Sequence, residues 1–107
     1  MVSNHLIITD SAKKDIDDAV SYIYYSLGNP SFAKELLDEF ERTIYLLLDF
    51  PKIYQVVENE LFKIADVRKA NIKSYVMYYS YYEDKHLIKI WAFIYGKRNI
   101  NQIVDRF

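Results

Sequence analysis

The chain has no cysteine among its 107 residues, so it can form no disulfide, no thiolate metal site and no cysteine nucleophile. No apolar run approaches the roughly 20 residues that a membrane span requires. The opening residues, Met1-Val2-Ser3-Asn4-His5, lack the charged and apolar regions of a secretory signal. These absences fit a cytoplasmic protein without membrane association. Histidine occurs only as His5 and His86, and neither has a partner at ligand spacing, so no metal and no cofactor is expected. Glycine and proline number two each, and all four punctuate element ends: Gly28, Pro30, Pro51 and Gly96. No internal repeat, low-complexity segment or linker divides the chain.

What is present is a folding composition. Hydrophobic residues make up 51% and charged residues 27%, which suits a single soluble domain spanning residues 1–107 rather than a disordered segment. The net charge of −1 hides a split. Residues 1–60 carry five Lys/Arg against eleven Asp/Glu, a balance of −6, and residues 61–107 carry nine against four, a balance of +5. This asymmetry has two readings: ordinary solvated surfaces, or a basic end that meets an anionic partner.

Residues 5–9, HLIIT, suit one strand, and Asp10 and Ser11 follow as N-cap candidates. Ala12, Ile16, Ala19, Val20, Ile23 and Leu27 then recur at helical spacing, with Asp15, Asp17 and Asp18 in the early turns and Gly28 as the stop. Asn29-Pro30 caps and opens a second helix, whose stripe is Ala33, Leu36, Leu37, Phe40, Ile44, Leu47 and Leu48. Phe50-Pro51 ends it, because the residue before proline is pushed out of helical geometry. Two long helices with so short a joint predict an antiparallel αα-hairpin, which buries its stripes against a sheet.

Residues 52–60 read as a loop. In residues 61–73 the alternation of Phe62 and Ile64 changes phase at Ala65 and Val67, which allows a strand with a bulge. Residues 71–74 turn the chain into the stretch around which the rest is organised, 74–99. It reads as two strands joined at Glu83-Asp84-Lys85-His86. Strict alternation puts Ile88, Ile90, Ala92 and Ile94 on one face and Leu87, Lys89, Trp91, Phe93 and Tyr95 on the other. The strand ends in a basic step, Gly96-Lys97-Arg98-Asn99. Beyond it, Ile100, Ile103, Val104 and Phe107 allow a short helix or a strand-like tail.

This order, with these residues at its joints, resembles the RelE/ParE superfamily of bacterial type II toxins. The matching pieces are Ala12, Asp15 and Ile16, then Tyr22-Ile23, Gly28-Asn29-Pro30 with Ala33, and Phe50-Pro51 with Tyr54. Arg68, the strand start at 71–79 and Tyr95-Gly96-Lys97-Arg98-Asn99 complete the match over nearly the whole chain. The resemblance implies an α+β fold of order β-α-α-β-β-β, with the αα-hairpin packed on a small, twisted, mainly antiparallel sheet. It also implies a toxin neutralised by a cognate antitoxin, and hence a toxin–antitoxin hetero-oligomer. Two activities occur in the superfamily: metal-independent cleavage of mRNA on the ribosome, and non-enzymatic inhibition of DNA gyrase.

An RNase of this kind promotes attack of a ribose 2′-OH on the adjacent phosphate. That requires a base, cations for the developing phosphorane charge and an acid for the leaving oxygen. By resemblance Arg98 is the electrostatic stabiliser, a role its bidentate guanidinium suits. Arg68 is a second cation lining the same cleft, and Tyr95 stands where many relatives have histidine and would act as the acid. Lys97, Lys69 and Lys63 are candidates for contacts to RNA or another target. Against these stand structural alternatives: an ion pair with a carboxylate for Arg98, a charge blunting the sheet edge for Arg68, and an aromatic packed beneath the terminal segment for Tyr95.

The chain departs from the RNase pattern at Val76, where an arginine is usual. It departs again around Ile103, Val104 and Asp105, where a tyrosine is usual, and at Ile64 and Asp66 beside Lys63. Arg98 and the charge split favour ribosome-dependent cleavage, the preferred expectation. The departures and a pI near 6.1 favour gyrase inhibition. A third reading makes the Tyr-rich sheet a base-stacking surface. The surplus of tyrosines would also suit a protein interface on an exposed sheet face.

Overall fold

The computed structural model describes residues 3–107; Met1 and Val2, the first residues of the stretch read for a signal, lie outside the described residues. Its elements follow the expected order. Strand β1 is His5–Ile8, helix α1 Asp10–Ser21, helix α2 Pro30–Asp49, and strands β2, β3 and β4 are Val67–Ile72, Tyr75–Tyr82 and Leu87–Tyr95. The sheet order is β1-β4-β3-β2, with β1 parallel to β4 and the other pairs antiparallel.

Helix α1 is capped one residue earlier than expected. The Thr9 Oγ1 accepts the Ala12 N–H at 3.2 Å, while Asp10 and Ser11 already belong to the first turn. The helix ends in a π-turn, Tyr22–Ser26, in which the Leu27 N–H reaches the Tyr22 carbonyl five residues back at 3.0 Å. The wider turn advances the phase. Ala12, Ala19 and Ile23 are buried, but Leu27, expected in the stripe, is turned out to solvent. Gly28 takes φ +59°, a left-handed conformation that glycine adopts without steric cost, and the chain reverses.

Helix α2 begins as expected, with Asn29 accepting the Phe32 N–H at 3.1 Å and Pro30 in the first turn. Ala33, Leu36, Phe40 and Leu47 are buried, and Ile44 and Leu48 pack against them. Leu37 is exposed, while Thr43 is buried with its hydroxyl donated to the Glu39 carbonyl at 2.9 Å. Together the helices cover one face of the sheet: Ala70 and Ile72 of β2, Tyr75, Met77 and Tyr79 of β3, and Ile88, Ile90 and Phe93 of β4.

The list of β4 residues breaks strict alternation. Tyr78 pairs with Ala92 and Tyr79 with Ile90, so Trp91 has no partner and forms a bulge. One inserted residue exchanges the faces of everything beyond it. Ile88 and Ile90 thus share the helix side with Phe93, whereas Ala92 and Ile94 face the opposite side. The bulge expected in 61–73 is absent; that segment is coil up to Asp66, and β2 runs without a register shift. The turn expected over 71–74 is confined to Lys73 and Ser74, with Lys73 at φ +57°.

The far face of the sheet is also covered. After β4 the chain forms 3-10 turns over Ile100–Arg106, and Ile103 and Phe107 bury Val67, Tyr78, Ala92 and Ile94 together with Phe62 and Ile64. No open tyrosine face is left there: Tyr78 lies edge-on beneath the Phe107 ring at 5.6 Å. Exposed tyrosines sit instead on the helical layer, at Tyr22, Tyr24, Tyr25 and Tyr45, and at the end of β4 at Tyr95.

Candidate functional site

The site forms where β4 runs past its neighbours. Strand β1 stops at the Ile8–Ile90 pair, so the outer edge of β4 beyond Ile90 has no strand beside it. A strand edge with unpaired N–H and C=O groups needs other partners. Asp15 of α1 and Arg106 of the terminal segment supply them. The Asp15 Oδ2 accepts the Phe93 N–H at 3.0 Å, and the Arg106 Nη1 donates to the Trp91 carbonyl at 3.4 Å. The two side chains also grip each other, with Arg106 Nη1 to Asp15 Oδ2 at 2.5 Å and Nη2 to Oδ1 at 3.2 Å.

The last residues of β4 reach the turn between β2 and β3. The Gly96 N–H donates to the Ser74 carbonyl at 2.8 Å, and a Cβ at Gly96 would lie 3.1 Å from that oxygen. Glycine is used because the two backbones approach so closely. The Arg98 N–H then returns to the Tyr95 carbonyl at 2.9 Å, and Asn99 accepts the Asn101 N–H at 3.0 Å, which fixes the basic step between strand and terminal segment.

Arg98 projects into a cleft of about 210 Å³ that it lines with Asp15, Asp18, Tyr22, Tyr75 and Tyr95. A second cleft of about 570 Å³ shares the three tyrosines and adds Ile23, Leu27, Phe32 and Ser74. Tyr75 stacks on Phe93 with ring centroids 5.1 Å apart and meets Tyr95 edge-on at 5.9 Å. Burial, reinforced by the neighbouring Tyr22 and Tyr95 hydroxyls, pushes the Tyr75 hydroxyl above its ordinary value, so it is a proton donor and not a base at neutral pH. Tyr95 is half exposed and packs on the helix side, against Tyr75 and not beneath the terminal segment. Arg98 is exposed, and among the described residues its guanidinium makes no hydrogen bond or ion pair.

Arg68 does not join this cleft. It pairs with Tyr79 on the edge strand β2, four positions along β3 from Tyr75 and hence about 13 Å along the strand direction. Its guanidinium faces the 51–54 loop. It donates to the Asp66 carboxylate at 2.7 and 3.0 Å and to the Lys52 and Tyr54 carbonyls at 3.0 and 2.8 Å. The side chain is 13% exposed. It therefore neither shares a cleft with Arg98 nor serves as a free edge charge.

Lys97 is exposed beside Arg98, Lys69 is exposed on the face of β2 away from the helices, and Lys63 is exposed in the coil before β2. None of these three ammonium groups makes a hydrogen bond or ion pair among the described residues. Arg98, Tyr95 and Lys97 are thus brought together, and Arg68, Lys69 and Lys63 are not. Three contributors were missed in the sequence: Tyr75 and Tyr22 as walls of the cleft, and Arg106 as the partner of Asp15. The Asp15 position in the Ala12-to-Ile16 match was the signal for one half of that pair; Arg106 gave none. Among the described residues no cluster of His, Asp or Glu is arranged to hold a metal, and no helix is long and apolar enough to cross a membrane.

The fold has a solved counterpart. A chain of the toxin–antitoxin complex RelBE2 from Mycobacterium tuberculosis superposes with a TM-score of 0.53 at 14% identity, covering 88% of this chain and 99% of its own. No curated protein sequence matches. The family model described as the ParE toxin of the parDE type II toxin–antitoxin system matches residues 6–100. The helical hairpin, the three-stranded return, the basic step and all of β1 but His5 fall within that span, and the chain belongs to the ParE family of type II toxins.

Proposed function

We propose that this toxin arrests growth without cutting RNA, by binding its target as a ParE-like inhibitor of DNA gyrase, and that a cognate antitoxin neutralises it. The separation of Arg68 from Arg98 carries this reading. Metal-independent RNA cleavage needs several charged and proton-transferring groups around one phosphate. Here the second arginine is committed to Asp66 and two loop carbonyls. The tyrosine beside Tyr95 holds its proton more tightly than usual, which removes it as a base. What remains at the basic step is an exposed guanidinium and an exposed ammonium beside an aromatic cleft, a composition suited to binding an acidic surface. The antitoxin reading is supported by the tyrosines exposed on the helical layer, since partly exposed Tyr suits a protein interface.

Ribosome-dependent mRNA cleavage is the second reading, favoured by the free guanidinium of Arg98 next to Tyr95. Purified toxin added to a gyrase supercoiling reaction and, separately, to a translation reaction with mapping of mRNA ends tells the two apart. Loss of supercoiling with intact transcripts is expected. Cut transcripts with unimpaired gyrase would overturn the proposal in favour of the nuclease.

A further inference from the structure

Arg98 shares its cleft with two carboxylates, Asp15 and Asp18, and pairs with neither. A guanidinium beside free carboxylates in a recess would be expected to pair. Both carboxylates are already engaged by other donors. Asp18 takes the Lys14 ammonium at 2.7 Å, in a pair whose side chains are 64% and 75% exposed. Asp15 is only 10% exposed and receives three hydrogen bonds, two from Arg106 and one from the Phe93 N–H. The first pair exchanges readily with water. The second is held in place, because the terminal segment that carries Arg106 is anchored by Ile103 and Phe107 in the far-face core.

We propose that Arg106 is a positioning residue: by occupying Asp15 it keeps the Arg98 guanidinium available to an anionic group on the toxin's target. Without Arg106, a largely buried carboxylate would keep a single backbone donor, and a carboxylate in that position takes whatever cation can reach it. The cation facing the same cleft is Arg98. Capture by Asp15 would neutralise Arg98 and pull it away from solvent. The target contact would be lost without any change to the residue that makes it. The terminal segment thus has two effects, covering the far face of the sheet and keeping the charge of the basic step outward.

The effect on toxicity rests on Arg98 being the contact made with the target, so the state of Arg98 is read separately. Phenylglyoxal modifies accessible, unpaired arginines, and peptide mapping resolves Arg98 from Arg42, Arg68 and Arg106. Arg98 should react readily in the wild-type protein and at least about tenfold more slowly in Arg106→Gln, in line with a pairing equilibrium shifted by one strong ion pair. Asp15→Asn combined with Arg106→Gln should restore the wild-type rate, since the asparagine still accepts the Phe93 N–H but no longer attracts Arg98. Arg106→Lys keeps the charge but loses the fork, and should give an intermediate rate. It reads the same effect should the glutamine variant fail to fold. Toxicity, compared among variants of matched thermal stability, should follow the same order, because neutralising Asp15 also relieves a buried unpaired charge.

Equal Arg98 reactivity in wild type, Arg106→Lys and Arg106→Gln would overturn the proposal. Reactivity in the expected order, with toxicity unmoved by these changes and by Arg98→Ala, would leave the pairing intact and remove Arg98 as the target contact.

Discussion

The guanidinium of Arg68 lies 2.7 Å from the carboxylate of Asp66, two residues earlier in the chain. Asp66 takes φ +60° to make the pair, and its other oxygen accepts the Tyr81 N–H at 3.2 Å. The arginine also holds the carbonyls of Lys52 and Tyr54. A charge expected at the functional cleft is thereby spent on fastening the loop after α2 to the edge of the sheet. The proposed reading of the toxin as a binder rests on this arrangement.

Arg68→Ala should therefore act on stability and not on function. It leaves a partly buried carboxylate without its cation and two loop carbonyls without a donor, a loss of about 2–4 kcal/mol. Urea unfolding should show that loss, and growth arrest should persist wherever the variant remains folded. A folded Arg68→Ala protein without toxicity would place this arginine back among the functional residues.

Arg98→Ala should do the reverse. The exposed guanidinium makes no internal bond among the described residues, so its removal should change unfolding free energy by less than about 0.5 kcal/mol. Growth arrest should nevertheless be abolished, and gyrase inhibition with it. Retained toxicity would rule out Arg98 as the contact.

The contrast between the two arginines marks what the sequence could convey. Element order, both helix stripes, the Asn29 and Pro51 boundaries and the basic step were legible because each depends on spacing within a few residues. Leu27 was misplaced because a π-turn changes the helical period, and nothing in the residue types of 22–26 announces it. The Trp91 bulge exchanged the faces of Ala92 and Ile94 for a similar reason: a strand's periodicity is readable only if the register is unbroken. The partners of Arg68 and Arg106 depend on contacts between residues 16 and 91 positions apart at the widest, and a single chain read in order does not disclose them. Residues clustered on one strand end are adjacent in the chain and so legible; those that another element brings beside them are not.

The two glycines should respond differently to alanine. At Gly28 the space is open, and the penalty is only that of a left-handed φ, about 1 kcal/mol, with toxicity unaffected. At Gly96 the new methyl would meet the Ser74 carbonyl at 3.1 Å and force the strand end away from the β2–β3 turn. A comparable loss of about 1–2 kcal/mol is expected there, as for other crowded sites. The displacement also moves Lys97 and Arg98, so toxicity should fall at Gly96→Ala and not at Gly28→Ala. Thermal unfolding and growth assays on both variants check this; equal toxicity of the two would show that the position of the basic step does not matter.

The Tyr79 hydroxyl gives a pH-dependent prediction whose sign follows from its burial. It is fully buried between Tyr54 and the end of α2, donates to the Pro51 carbonyl at 2.9 Å, and is pushed up from 10.0 to about 12, chiefly because burial disfavours the phenolate. In the unfolded chain the same group ionises near its ordinary value. Between these two values the folded protein binds the proton that the unfolded chain has released, so stability falls as pH rises, by about 1.4 kcal/mol per pH unit from this group. Below pH 10 its contribution is complete and flat. Tyr75 and Tyr78 are also shifted upward by burial and add to the alkaline slope. Tyr79→Phe forfeits the hydrogen bond and should be about 1 kcal/mol less stable at pH 7. It also loses its share of the slope, so the gap to wild type should close and then reverse between about pH 10 and 11. Urea unfolding at pH 7, 10, 11 and 11.5 tests it: a constant gap across that series would mean that Tyr79 ionises in the folded protein as readily as in the unfolded one.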